Sequence, residues 1–264
     1  MISLSAFLLA VNGTIQMGRN SKNRKPLLIL SGAILAVLLV LTACFFFYVS
    51  DYRHADETAK KAMMSDGTVT VRETSYGYLF DGPSDDNALI FYPGGKVEET
   101  AYAPLLKKIA SRGVDVCLLK VPFRLAVLDG NAADKALAEH SYRTWYTGGH
   151  SLGGVMAANY ASSHSDRIKG VVFIAAYPAS AMPSGMDALL ITASEDKILN
   201  RTKLSESRKY LPGKYSEVAI EGGNHCQFGS FGFMKGDGTA SVTPDEQQEK
   251  TAGAVVSFIL PDAK

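Results

Sequence analysis

Cysteine is scarce in this chain. The three present, Cys44, Cys117 and Cys226, stand far apart in 264 residues and form no paired spacing. A zinc module or a disulfide-stapled scaffold is thereby excluded. The thiols read as isolated packing groups, with a Cys117 to Cys226 bridge as the alternative for an exported domain. An excess of charge is missing too, since 27 basic residues face 26 acidic ones for a net +1. No strong field exists to gather a polyanion, so nucleic acid is excluded as a partner. Internal repeats and low-complexity stretches are also absent, which removes repeat architectures and disordered linkers from consideration.

Apolar residues are plentiful. At 47% hydrophobic composition the chain has enough material for one sizeable core and hence one main domain. They are concentrated at 27–49, LLILSGAILAVLLVLTACFFFYV, an uncharged run apolar on every face. As a helix it is about 34 Å long and exceeds a hydrocarbon core of about 30 Å, so a transmembrane helix is expected. Arg19, Lys22, Arg24 and Lys25 precede it with no acidic residue. Positive charge stays inside, which makes 1–26 cytoplasmic and leaves everything after the span outside a cell membrane. Leu41-Thr42-Ala43-Cys44 resembles a lipobox that would be acylated at Cys44, but three phenylalanines follow it, and an uncleaved signal anchor is the preferred reading. Met17, followed by the basic stretch, reads as a more natural start than Met1. Residues 50–67 form a juxtamembrane stalk in this reading, and the polar, Ala/Lys-rich stretch 51–66 suits either a short helix or a stalk.

From residue 68 to 264, short β-branched runs alternate with amphipathic stretches. Strands are expected at 68–73, 76–80, 88–92, 114–120, 142–146, 170–175, 188–192 and 216–220. Helices are expected at 98–111, 132–139, 152–162, 201–210 and 244–259. Two hairpin-like strands followed by a βαβ series make a doubly wound α/β fold: a mostly parallel sheet of about eight strands with helices on both faces. Ligands of such folds sit at the carboxyl ends of the strands. Only YPASAMPSGMD separates the sixth and seventh strands, too short for a large cap domain, so the site is expected to be open.

After the fifth strand comes Gly148-Gly149-His150-Ser151-Leu152-Gly153-Gly154 and then a helical pattern. This is G-x-S-x-G between a strand and a helix, a sharp turn that presents the serine hydroxyl at a helix N-terminus. Gly149 and Gly153 flank it where side chains would strike the neighbouring strand and helix. A serine needs a base, and the base needs a carboxylate. Asp196 follows the strand ALLIT, and His225 follows SEVAI in EGGNHCQFG, both at the carboxyl edge. Glu195 is the second choice for the acid. His54, His140 and His164 read as solvated surface groups, and His150 as a residue that shapes the site. Oxyanion donors are expected from the backbone of Leu152 and from Gly95 or Lys96 in PGGKV. The side chains of Lys96 and Arg124 read as solvated charges rather than an anion site.

These segments, FYPGGKVEETAYAPL, GGHSLGG, ITASEDK and GGNHCQFG, resemble the α/β-hydrolase superfamily, and within it a bacterial group of dienelactone-hydrolase type. The resemblance implies the fold, a triad without cofactor or metal, and a small-molecule acyl substrate. Dienelactone hydrolases carry a cysteine nucleophile where this chain has Ser151, so lactone specificity is not carried over. A thioesterase or peptidase would use the same residues, and a non-catalytic binding protein would share the fold.

Overall fold

The structure, a computed structural model, describes residues 24–84 and 86–261, and the chain forms two compact units, Met1–Ser50 and Asp51–Lys264. Most of the segment expected to be cytoplasmic lies outside the described residues. The first unit contains helix α1, Arg24–Ser50, which opens with Pro26 in its first turn, where a missing N–H costs nothing. Within it Leu28–Ser50 is long and apolar enough to cross a membrane by length and composition.

The second unit is built on one eight-stranded sheet: β1 (Thr70–Thr74), β2 (Gly77–Asp81), β3 (Asn87–Tyr92), β4 (Asp115–Leu119), β5 (Thr144–His150), β6 (Ile168–Ile174), β7 (Asp187–Ala193) and β8 (Tyr215–Ile220). Their spatial order is β1-β2-β4-β3-β5-β6-β7-β8. The first two strands are antiparallel, and β3 to β8 run parallel. The central strands are continuous apolar runs because both of their faces are covered: every residue of β3 and β4 is buried.

One face carries α2 (Glu57–Ala62), α3 (Ala103–Ala110) and α7 (Pro244–Ile259) over a core that includes Phe80, Phe91, Leu105 and Val255. The other carries α4 (Ala133–Glu139), α5 (Leu152–Ser163) and α6 (Arg201–Ser207) over Ile90, Ala136, Ala158 and Leu204. Local chemistry sets the helix starts. Thr243 and Glu246 form a reciprocal capping box before α7, and the Asn200 side chain accepts from Lys203 N–H at the start of α6. The connection from β6 to β7 holds no helix, so no cap covers the carboxyl edge there.

Three segments depart from the sequence-based expectation. Strand β5 runs to His150 instead of stopping near residue 146, because Gly148 and Gly149 stay in the sheet, paired with Phe91 and Tyr92 on one side and Val172 and Phe173 on the other. Gly149 lets α5 pack close, since a Cβ there would strike Gly153, and Gly148 makes room for Val172 and Leu89. The helix expected over 98–111 divides into a 3-10 turn, Glu99–Tyr102, and α3, because Pro104 opens a new helical start. The stretch expected as a stalk is built into the second unit. Ala55 and Ala59 are buried in its core, and the backbone of Arg53 pairs with the loop after β3: Arg53 N–H donates to Lys96 O at 2.8 Å, and Glu98 N–H to Arg53 O at 2.8 Å.

At its opposite end β5 begins near the single tryptophan, Trp145, which is buried and packs edge-on against Tyr142 with ring centroids 4.9 Å apart.

Candidate active site

The turn between β5 and α5 holds Ser151 at φ 53°, ψ −123°. For a residue with a side chain this conformation costs about 1–3 kcal/mol, which only the surrounding packing can sustain. Sterics explain the flanking glycines. A Cβ on Gly149 would lie 2.6 Å from Tyr92 O, and one on Gly153 only 2.2 Å from the same atom, so β3 and α5 close on the turn through bare backbone. Ser151 N–H donates to Ile174 O at 2.9 Å, tying the turn to β6. Its half-buried side chain lines a cleft of about 240 Å³ with Leu152, Tyr177, Ile198 and His225 among its walls.

Asp196 and His225 meet across two loops. His225 Nδ1 lies 2.8 Å from Asp196 Oδ2, and both side chains are almost fully buried. The other carboxylate oxygen of Asp196 accepts from the backbone N–H groups of Ile198 at 2.9 Å and Leu199 at 2.8 Å. An acceptor held this way fixes the proton on Nδ1 and leaves Nε2 as the basic atom of a neutral imidazole. Glu195 is the wrong neighbour: its carboxylate takes the hydroxyl of Ser194. Among the described residues no hydrogen bond joins Ser151 Oγ to His225, although both line the cleft. Such bonds commonly close only when substrate enters.

Two groups that sequence reasoning missed hold the histidine loop. Asp237, itself buried, accepts from the backbone N–H groups of Lys197, His225, Cys226 and Gly238, and so binds the acid loop to the histidine loop. Burial pushes its carboxyl up, but the bonds from Cys226 and from these N–H groups prevail and hold it below the usual range. Gln247 of α7 exchanges two hydrogen bonds with the backbone of Asn224, at 3.0 and 2.7 Å. An Asp-Gly pair in a glycine-rich loop and a glutamine on an amphipathic helix carry no local signal of either role.

In the loop after β3 the backbone N–H groups differ in what they bond. Lys96 N–H is spent on Arg124 O at 2.9 Å, and Gly94 N–H on the Tyr102 hydroxyl at 3.0 Å. The N–H of Gly95 has no such partner among the described residues, and its Cα lies against the side chain of Leu152, where a Cβ would be 2.9 Å from Cδ2. Leu152 opens α5, so its own N–H belongs to the free first turn.

His150 sits behind the site. Its ring lies 4.4 Å from that of His225, centroid to centroid, and its Nδ1 is 2.9 Å from the Tyr102 hydroxyl. That hydroxyl also accepts from Gly94 N–H, so it bridges the loop after β3 and the His150 ring, whose Nε2 is buried. Burial, and then the neighbouring His225, hold His150 well below the ordinary histidine range, so it is neutral. This chain of bonds links the oxyanion loop to the ring beside the base.

Other expected roles are revised. His140 and His164 are half-buried rather than solvated, bonded to the Tyr76 hydroxyl and the Tyr160 carbonyl. Lys96 and Arg124 are half-buried as well: Lys96 pairs with Asp51, and the Arg124 guanidinium lies 3.5 Å over the Tyr52 ring. Cys117 and Cys226 are buried free thiols. Burial and then Asp237 push the Cys226 thiol up to about 12, which leaves it without nucleophilic thiolate at neutral pH. Among the described residues no group of three His, Cys, Asp or Glu side chains is placed to hold a metal.

Ser151 in a tight strand-to-helix turn and the bonded pair Asp196 and His225 thus lie together at the carboxyl edge of the sheet. Residues 88–249 match the alpha/beta hydrolase family, and the chain belongs to it. Solved structures with a similar fold include TT1662 from Thermus thermophilus, at 15% identity, 74% of this chain and 99% of the other covered, and a TM-score of 0.52. A dienelactone hydrolase from Anabaena variabilis is similar at 12% identity, with 73% and 99% covered and a TM-score of 0.51. A bacterial membrane phospholipase A is similar at 13% identity, with 90% and 98% covered and a TM-score of 0.55. Comparison with curated proteins gives no match. At these identities the structural likeness speaks for the fold alone.

Proposed function

We propose that the protein is a serine hydrolase of the carboxylic-ester type, anchored by α1 and acting outside the membrane on exposed acyl groups. Ser151 Oγ attacks the acyl carbonyl carbon while its proton passes to His225 Nε2. The tetrahedral oxyanion receives hydrogen bonds from the backbone N–H groups of Leu152 and Gly95. Collapse breaks the ester bond, and the leaving alcohol takes the proton from Nε2. Water then repeats the sequence on the acyl-enzyme and restores the serine. Asp196 keeps the imidazole in the required tautomer and stabilises its positive charge. The observation that carries this reading is the buried His225–Asp196 bond in the cleft that also holds the strained Ser151.

The open carboxyl edge favours acyl groups that protrude from a larger molecule or belong to a small one. A neutral His150 spares the His225 imidazolium a second positive charge next to it. Labelling with a fluorophosphonate at pH 7 tests the proposal: an adduct on Ser151 is expected, and its absence from folded protein rejects it. A panel of p-nitrophenyl esters beside peptide and thioester substrates tests the ester assignment, which fails if the peptide alone turns over. The expected orientation is checked by protease added to intact cells, which should digest the domain.

A further inference from the structure

Outside α1, seven large apolar side chains are exposed among the described residues, and five of them share one edge. Phe123, Val127 and Leu128 follow β4, Ile198 follows β7, and Phe233 follows β8; they are between 36% and 61% exposed. Ile198 is itself a wall of the cleft that holds Ser151 and His225. Large side chains left in water around a site in this way mark a surface that meets something apolar.

The chain identifies what that is. Only Asp51 and Tyr52 separate the candidate span Leu28–Ser50 from Arg53, whose backbone is bonded on both sides to the oxyanion loop through Lys96 O and Glu98 N–H. Asp56 N–H continues the attachment by donating to Ser230 O at 2.9 Å, in the loop that carries Phe233. The segment bonded to the reactive edge therefore begins only two residues after the span in the chain. Several charges at this edge are matched, Lys96 with Asp51, Lys120 with Glu99, and Arg124 over the Tyr52 ring, while Lys197 and Lys235 beside Ile198 and Phe233 are exposed. Apolar contact at this edge does not depend on anionic headgroups.

We infer that Val127, Leu128, Ile198 and Phe233 form a membrane-docking rim, and that the substrate is an acyl ester of an amphiphile resident in that membrane. The inference rests on the esterase reading and on α1 as the span. The rim dips into the headgroup boundary, and the ester enters the cleft from the lipid side without crossing bulk water.

The test uses the full chain reconstituted in phosphatidylcholine vesicles. Trp145 is the single tryptophan and is buried, so Leu128→Trp or Phe233→Trp adds one exposed reporter. Brominated lipid is expected to quench the added tryptophan at least about twofold, and no quenching overturns the docking rim. In parallel, a long-chain fluorogenic ester embedded in the vesicles is compared with soluble p-nitrophenyl acetate. The double variant Val127→Asp with Phe233→Asp is expected to lose at least about tenfold on the embedded ester while staying within twofold on the soluble one. Equal rates of wild type and variant on the embedded ester, or wild-type turnover of the soluble ester alone, overturn the inference. If neither ester is cleaved and Ser151 takes no fluorophosphonate, the esterase reading itself falls and this one with it.

Discussion

The two edges of the sheet are built to different standards. At the carboxyl edge lie all five positive-φ residues other than glycine among those described: Lys96 after β3, Phe123 and Arg124 after β4, Ser151 after β5 and Ala175 after β6. The same edge holds the buried and unpartnered Nε atoms of Arg124 and His150. At the amino edge, around Arg143, Arg167 and Lys169, there is an open polar groove, and the ion pairs are surface ones, Arg143 with Asp86 and Lys169 with Asp187. One edge carries backbone strain and buried atoms left without hydrogen-bond partners, whereas the other pairs surface charge and satisfies its buried carboxylate, Asp115, with the Gly82 N–H and the Tyr142 hydroxyl. Since each strained residue costs on the order of 1–3 kcal/mol, the difference marks where stability has been exchanged for geometry.

That contrast can be broken by substitution. The largest effect is expected from Asp196→Asn, which removes the acceptor that sets the His225 tautomer; kcat on p-nitrophenyl esters should fall on the order of 10³- to 10⁴-fold while the thermal transition is kept. Next comes Gly153→Ala, whose Cβ would sit 2.2 Å from Tyr92 O and 2.4 Å from Pro93 O; a loss of about 3 kcal/mol in chemical denaturation is expected. Tyr102→Phe leaves Gly94 N–H without its acceptor and His150 Nδ1 without its hydrogen-bond partner. A stability loss of about 2 kcal/mol is expected, with a fall in kcat larger than any change in KM.

His150 supplies a pH test. Its folded-state pKa is depressed, so its contribution is fully present above the unfolded value near 6.5 and is lost as pH falls toward the folded one, because only the unfolded chain takes up the proton. The limiting slope is about 1.4 kcal/mol per pH unit, and urea titrations in detergent at pH 7 and 5.5 should show it flattened in His150→Gln. The smallest effect belongs to the other edge: Arg143→Ala and Lys169→Ala should leave turnover unchanged and stability within about 0.5 kcal/mol. A large loss there would erase the contrast between the two edges.

What could be read in the sequence was whatever short-range pattern expresses. The doubly wound order, the elbow around Ser151 and the loops of Asp196 and His225 all follow from local runs of apolar, glycine and polar residues. Contacts between distant segments were not expressed that way. Nothing local says that Tyr102 reaches His150, that Asp237 gathers N–H groups from two loops, or that Arg124 O takes Lys96 N–H and leaves Gly95 as the free donor. Gly148 and Gly149 misled because close approach, to Val172 and Leu89 for one and to α5 for the other, and a reverse turn require the same residue, and only the strand pairing separates the two. Asp51 to Asp56 misled for a related reason, since a polar segment that pairs through its backbone looks like a tether.

Trp145 gives strand β5 a private optical gauge. The fluorophore stands near the start of the strand that ends at the elbow, packed on Tyr142 and away from the cleft. Its native emission should stay blind to acylation of Ser151 and change when the strand itself comes apart. Inhibited and unfolded protein can thus be told apart in one cuvette, without a dye.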